Sequence, residues 1–302
     1  MLSATRNLLY LINPIAGTKN NKNLAAFITK ATTAKQLAHA ITYTNKQGNY
    51  DYLKTEIETH NITDIIIVGG DGTVNQIVSA VGRLKVNIGI LPFGSGNGLA
   101  FAAGIPKSIE KALQIIFAGK TQLTDAFMVN QQFACMLFGL GFDAQVAHNF
   151  AKQTKRGLLN YTKQSLLHYF KAMPYLFDIT IDDFTFTTDA FFISIANSNQ
   201  FGNQFTIAPK ASLADGLLDI VLVQKMSKLK LPFALLNQIR GKNKLVSLIE
   251  NLQHNNIVYV QSPSIIIKNK KLAPLHIDGE PIPTTEEISI DIMPQYFNLL
   301  VP

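Results

Sequence analysis

The sequence predicts an open α/β domain followed by a β-rich domain, and three observations predict it. Apolar runs of strand length lead through Gly/Asn/Ser/Thr loops into helix-like stretches three times before residue 100. One of those loops is the pentapeptide Gly69-Gly70-Asp71-Gly72-Thr73. After Thr124 strand-like runs dominate. Alternating strands and helices build a parallel sheet covered by helices, whereas successive strand runs point to a separate β-rich domain. The boundaries follow as 1–124, 125–294 and a tail, 295–302.

In chain order, Leu8–Ile12 reads as a strand and the segment near Leu24–Leu37 as a helix. A strand near His39–Thr44, a helix near Tyr50–His60 and the buried strand Ile65–Val68 come next. Helix 75–82, strand 86–91, a helix start after Gly98 and helix Ser108–Ala118 complete the first domain. Ser108 is placed to cap that last helix, two residues after Pro106. In the second domain the strand-like runs are Phe133–Leu140, Phe177–Asp182, Phe191–Ala196, Leu218–Val223, Ile257–Val260, Ile265–Lys268 and Ile288–Ile292. Two helical segments, around Leu158–Met173 and Phe233–Leu252, interrupt them.

A strand that ends in glycines and turns into a helix offers bare backbone N–H groups and a positive helix end to an anion. Glycines let the backbone approach a phosphate closely, and Asp71 adds a carboxylate for magnesium or a hydroxyl. The bland reading of Gly69-Gly70 is a tight turn, which does not explain why Asn13-Pro14-Ile15-Ala16-Gly17 and Pro92-Phe93-Gly94-Ser95-Gly96-Asn97 follow strands in the same way. Ligands of open α/β sheets bind beyond the carboxyl ends of such strands. Neither GxxxxGK[ST] nor GxGxxG occurs at these places, so the site is neither a P-loop nor a standard dinucleotide fold. Asn13 also suits an Asx turn closed on its own backbone, and Ser95 and Asn97 suit helix caps.

At 302 residues, with 47% hydrophobic and 16% charged residues, the chain is long enough for two cores. No apolar run approaches the roughly 18 residues of a spanning helix. The single cysteine, Cys135, lies in an apolar stretch and fits a buried thiol in a reducing cytoplasm. The net charge of +7 has three readings: solvated surface, an anionic membrane, or nucleic acid. No nucleic-acid motif supports the last. The histidines, among them His148, His168, His254 and His276, show no metal spacing.

Asn13-Pro14-x-Ala16-Gly17, the Gly69–Thr73 loop with Val74-Asn75, Pro92-x-Gly94-Ser95-Gly96-Asn97 and the late Ile277-Asp278-Gly279-Glu280 together resemble the diacylglycerol kinase catalytic family. That family includes bacterial lipid kinases, sphingosine kinases and ceramide kinases. The resemblance covers Arg6 to the C-terminus and implies a nucleotide-binding α/β domain, a C-terminal β-rich sandwich, and a tail that packs back on the first domain. It also implies ATP-dependent phosphorylation of a lipid hydroxyl with Mg2+, and peripheral contact with a membrane that holds the substrate. Asn13, Gly17, Thr44, Gly69, Gly70, Asp71, Gly72, Thr73, Asn75, Ser95 and Asn97 would then face the nucleotide.

Asp278-Gly279-Glu280 is explained by a β-turn alone, but phosphoryl transfer needs a carboxylate near the attacking hydroxyl. By resemblance Glu280 is the proton acceptor and Asp71 its rival, with Asp278 beside them as a third catalytic candidate. Asp215-Gly216 suits a hard cation in a tight turn, or a plain turn into Leu218–Val223. The resemblance assigns a structural magnesium there, held by the Asp215 carboxylate and the carbonyls of Ser212 and Leu217. Two positions depart from the bacterial pattern: Gly98, where an aspartate is expected, and Gln76, where glutamate is common. Gly98 looks more like the sphingosine kinase branch, yet Gln145, Val146 and Ala147 stand where those enzymes place acids for the substrate amine. Phe138–Ala144 and Leu158–Phe170 correspond to the lipid-facing region. Diacylglycerol is the leading substrate and a sphingoid or other lipid alcohol the second. An NAD kinase and a non-catalytic binding module are the rival classes, disfavoured by the Asn13 motif and by Asp71, Asn75 and Glu280 occurring together. Oligomeric state stays open.

Overall fold

The computed structural model describes residues 6–17, 23–45, 48–142, 144–145, 173–199, 206–243, 245, 248, 252 and 256–302. The chain divides into two compact units, Met1–Thr124 with Gln295–Pro302, and Asp125–Pro294. In the first unit, strands β1 (Asn7–Ile12), β2 (Ala38–Tyr43), β3 (Asp64–Gly69) and β4 (Asn87–Pro92) are separated by helices α1 (Leu24–Thr33), α2 (Tyr52–His60) and α3 (Asp71–Val81). Helices α4 (Gly98–Ala102) and α5 (Ile109–Ala118) follow β4. The four strands are parallel in the order β4-β3-β1-β2, with Leu9 beside Ile65 and Ile65 beside Ile88. Asn298 and Leu299, near the C-terminus, add a parallel edge beside Asn87 and Ile88.

Every residue of β3 is buried, as expected of a central parallel strand that is covered on both faces. The chain runs outward from β1 to β2 on one side and resumes at β3 on the other. The order therefore reverses between β1 and β3, where an open α/β sheet leaves a crevice at its carboxyl edge. Two of the three sequence-singled loops, those after β1 and β3, flank that reversal.

Helix α3 starts at Asp71, not at residue 75, so Asp71, Gly72 and Thr73 form its first turn. An acidic residue in the first turn lies with the helix macrodipole, which explains the earlier start. Helix α1 stops at Thr33, where Gln36 takes a positive φ and ends the run short of Leu37. Ser108 does cap α5, its Oγ accepting the Lys111 N–H at 3.4 Å.

The second unit is antiparallel. The chain enters it along β5 (Thr121–Val129) and continues through β6 (Gln132–Ala134), β7 (Leu137–Gly141), β8 (Tyr175–Ile181), β9 (Phe184–Ala196) and β10 (Leu218–Gln224). Helix α6 (Leu231–Ile239) precedes β11 (Ile257–Ser262), β12 (Ser264–Asn269), β13 (Leu275–Ile277), β14 (Glu280–Ile282) and β15 (Glu287–Leu300). The long strand β9 pairs with β8 along its first half and with β7 and β10 along its second. Its side chains alternate: Ile193 and Ile195 enter one apolar core, Phe192 and Ala196 the other. The expected strand Phe133–Leu140 is two strands, broken at Cys135-Met136 because a buried carboxylate claims that stretch of backbone. The expected helix Leu158–Met173 lies almost wholly outside the described residues. The expected helix Phe233–Leu252 begins at Leu231, and its first segment ends at Ile239, before Gly241 at φ +66°.

At the amino-terminal edge of the first sheet, Arg6 forks onto Asp64 at 2.7 and 3.1 Å, and Asp64 is wholly buried. Thr63 and Asn87 also donate to that carboxylate. Arg6→Met should destabilise the chain by about 3–5 kcal/mol, because it leaves a buried charge without its counter-ion. Adding Asp64→Asn should recover a large part of that loss. Urea denaturation of the single and double variants checks both signs, and equal stability of Arg6→Met and the parent would remove the ion pair from the account.

Candidate active site

In the first unit, three loops converge at the carboxyl edge through contacts that leave no room for side chains. A Cβ on Gly70 would lie 2.9 Å from the Gly94 Cα, and one on Gly94 only 2.4 Å from the Gly70 Cα. Real Cβ atoms do not approach backbone so closely, so both positions require glycine for the β3 and β4 loops to touch. The loop after β1 is joined to the same assembly. Gly17 sits at φ +76°, where a Cβ would strike the Phe93 ring at 2.4 Å. Asn13 donates from Nδ2 to the Thr73 hydroxyl at 2.8 Å. Its Oδ1 accepts the Ile15 N–H at 3.1 Å, so the Asx turn and the bond to α3 coexist.

The result is a shallow edge made of backbone at the mouth of α3. Gly70 is the N-cap in extended geometry and, having no side chain, gives the first turn of α3 no side-chain cap of its own. Such a helix end attracts a phosphate. Asp71, Gly72 and Asn75 are half-buried in its first turn and a half, and Thr73 and Gly69 are buried. Asn97 differs from its expected capping role. It adopts φ +56°, accepts the Gly94 N–H at 2.8 Å and returns a bond to the Gly94 carbonyl at 2.9 Å. It therefore closes its own loop, and α4 begins without a side-chain cap. Ser95 at the tip is exposed. Thr44 ends β2 with its N–H on the Ile12 carbonyl, and its side chain is hydrogen-bonded to Tyr50, whose phenol is raised chiefly by burial.

The second unit, taken by itself, carries the hairpin that holds the candidates Asp278 and Glu280. β13 and β14 join through Asp278-Gly279 at φ +49° and +84°, the two positive values of a type I′ turn, with Ile277 opposite Glu280. The turn is held from inside. The Asp278 carboxylate accepts the N–H groups of Cys135 at 3.0 Å, Met136 at 3.0 Å and Leu137 at 2.8 Å. The Asp278 N–H returns to the Leu137 carbonyl at 2.8 Å. The carboxylate also meets the Cys135 thiol at 3.5 Å, so the bonds of this catalytic candidate run to the segment 135–137 and hold the turn in place. Glu280, two residues on, is exposed.

Asn197 is a participant that motif reading missed. Wholly buried after β9, it donates to the carbonyls of Asp125 at 2.8 Å and Cys135 at 3.1 Å, while its N–H reaches the Met136 carbonyl. Asp278 thus binds the N–H side of residues 135–137 and Asn197 the carbonyl side. The only sequence signal was a polar cluster, Asn197-Ser198-Asn199, directly after a strand of apolar residues.

The cation candidate lies in the turn before β10. Asp215 accepts the Leu217 N–H at 3.2 Å, and Asp125 accepts the Gly216 N–H at 2.7 Å. Burial and the neighbouring Asp125 charge raise the Asp215 pKa. Asp219, behind it, accepts from Tyr259 at 2.6 Å and Gln261 at 3.1 Å, yet burial, aided by the Asp215 charge, pushes it up to about 6. Among the described residues no three acidic, His or Cys side chains converge to hold a metal by themselves. A cation here would use the Asp215 carboxylate with the Ser212 and Leu217 carbonyls, an all-oxygen set suited to magnesium. The residues fit, since the turn gathers like charges that a cation would offset.

The raised Asp219 pKa has a defined sign. The folded state holds this proton more tightly than the unfolded chain, so the contribution to stability is complete below about pH 4 and is lost as pH rises through about 6. In chelator, the parent chain should lose up to about 1.4 kcal/mol per pH unit across that window from this group, and Asp219→Asn should not. Denaturant melts of both proteins between pH 4 and 7 check this, and parallel pH profiles would contradict it.

Comparison with known proteins places both units in a family. Residues 7–129 match the diacylglycerol kinase catalytic domain, and residues 137–301 match the YegS C-terminal NAD kinase beta sandwich-like domain. A probable lipid kinase, YegS-like, of Shewanella frigidimarina is 29% identical over 255 residues, covering 82% of this chain and 79% of its own. One from Enterobacter sp. is 28% identical over 310 residues, covering 100% and 98%. A crystal structure of a diacylglycerol kinase from Bacillus anthracis superposes with a TM-score of 0.77 at 23% identity, covering 99% of this chain and 97% of that one, and so shares the fold. With both of its units matched in order, the chain belongs to the family that joins a diacylglycerol kinase catalytic domain to a YegS-type C-terminal sandwich.

Proposed function

We propose that this chain is an ATP-dependent lipid kinase that transfers the γ-phosphoryl group to the hydroxyl of a diacylglycerol, forming phosphatidate, with Mg2+ as the accompanying ion. The observation that carries the reading is the α3 terminus with a glycine at its N-cap, packed backbone to backbone against Gly94 and with Asp71 in its first turn, a shape that suits a phosphate. A membership that pairs this domain with a YegS-type sandwich, and relatives named probable lipid kinases, support the acceptor class.

In the proposed reaction the nucleotide's phosphates lie on the backbone N–H groups of the first unit. Glu280 accepts the lipid hydroxyl proton as the new oxygen–phosphorus bond forms and ADP leaves. Asp71 would hold the Mg2+ ion, which would offset the charge of the phosphates. This division follows the chemistry of phosphoryl transfer, which depends on positioning and charge stabilisation. The substrate lives in a bilayer, so the enzyme works from the cytoplasm as a peripheral visitor. No helix among the described residues is long and apolar enough to cross a membrane.

A sphingoid base is the second reading, favoured by Gly98 at the start of α4 in place of an acid. Against it, Gln145 stands near where an acid would meet the amine. The test is transfer of label from γ-labelled ATP to diacylglycerol, monoacylglycerol, ceramide and sphingosine, with NAD as control. Diacylglycerol should take the label, and Asp71→Asn should lower kcat by at least about 100-fold. The same change should cost the fold no more than about 1 kcal/mol, the value of a first-turn acid at a helix end. Label entering NAD alone, or a folded Asp71→Asn protein with parent turnover, would overturn the proposal.

A further inference from the structure

Helix α6 is apolar on two faces, and the second unit buries one of them. Leu231 is buried, and Ala234 and Leu235 pack against the core that holds Val221, Val223 and Tyr259. Gln238 is wholly buried, donating to the Ile207 carbonyl at 2.8 Å and accepting from Asn243 at 2.8 Å. The helix is therefore firmly seated. Its other face carries Phe233 at 71% and Leu236 at 46% exposure, and Leu229, at 81%, lies in the turn that leads into it. A spacing of three residues puts Phe233 and Leu236 on one face of the helix, and Leu229 adds a third exposed apolar side chain at its entrance. Helices of soluble proteins ordinarily place polar residues on such a face.

The charge around these side chains is one-sided. From Lys225 to Asn243 the sequence holds five cations and no acidic residue. Lys225 and Lys230 are exposed before the helix, and Arg240 and Lys242 are exposed after it. Lys230 is the N-cap and makes no side-chain cap bond. A cation at a helix N-terminus opposes the macrodipole, so helix stability does not account for it. Apolar side chains bracketed by cations match a surface with an apolar interior beneath an anionic layer. At nine residues the helix is about 14 Å long, too short to span a bilayer and suited to lie along its face.

We propose that α6 and its flanks are a membrane-docking element, seating Leu229, Phe233 and Leu236 among the acyl chains of an anionic phospholipid bilayer while the flanking cations meet the headgroups. The choice of a bilayer as occupant rests on the lipid-kinase reading and on the charge complementarity. Docking here would bring the enzyme to its substrate without any covalent lipid.

The test is co-sedimentation of the full chain with phosphatidylcholine vesicles, with and without phosphatidylglycerol. The parent should bind the anionic vesicles, and binding should weaken with salt. Leu229→Ser with Phe233→Ser should reduce binding by about tenfold or more, the scale of withdrawing two apolar side chains from the bilayer. Lys225→Gln with Lys230→Gln should lose the preference for anionic vesicles. Thermal melts should match the parent, because these side chains are exposed. Phosphorylation of lipid in detergent micelles should be unchanged in both variants. Failure of the parent in that micelle assay would speak against the kinase reading alone, since vesicle binding needs no turnover. Parent-like vesicle binding by the serine variant, or no vesicle binding by the parent, would overturn the docking proposal. So would a parent dimer that Phe233→Ser converts to monomer with vesicle binding unchanged, which would make these side chains an interface between copies.

Discussion

The Asp278 carboxylate holds three consecutive backbone N–H groups, those of Cys135, Met136 and Leu137, and the β13–β14 turn and the break between β6 and β7 both depend on that bond set. Buried N–H groups without partners are costly, so the strand break between β6 and β7 needs an acceptor from elsewhere in the chain. Asp278 supplies it from 141–143 residues away in sequence. In doing so it fixes the I′ turn, and the turn fixes where Glu280 stands. Asn197 secures the same segment by its carbonyls. The exposed glutamate thus rests on a buried network.

The first unit solves a comparable problem with absent side chains. Gly70 and Gly94 allow two strand-end loops to touch through their backbones. The Asn13–Thr73 bond ties the third loop to α3. What remains is a helix terminus whose N-cap is a glycine, at the point where the strand order reverses. Rigidity here comes from close backbone contact and one cross-loop hydrogen bond.

The strand-loop-helix units were legible because a buried parallel strand is a continuous apolar run and its loop must be small and polar. Ile65–Val68 and Gly69–Thr73 show this directly. The start of α3 at Asp71 was missed because glycines at 70 and 72 read as loop, although an acid in a first helical turn is favourable. Asn97 was read as a cap from its residue type, but its left-handed backbone turns the side chain onto Gly94. Asp278 and Asn197 act on residues far away in sequence, and local pattern carries no trace of such partners. The exposed apolar side chains on α6 and the turn before it were hidden for another reason: Leu229, Phe233 and Leu236 are indistinguishable in sequence from the core residues Leu231 and Leu235 beside them.

If Glu280 is presented as the proton acceptor by a turn that Asp278 holds, removing its charge should impair chemistry and spare nucleotide binding. The direct measurement is kcat on diacylglycerol for Glu280→Gln, set beside calorimetric titration of the same protein with a non-hydrolysable ATP analogue. A fall in kcat of about 100-fold or more, with affinity for the analogue unchanged, is the expected result. Parent-like turnover, or a loss confined to analogue affinity, would contradict it.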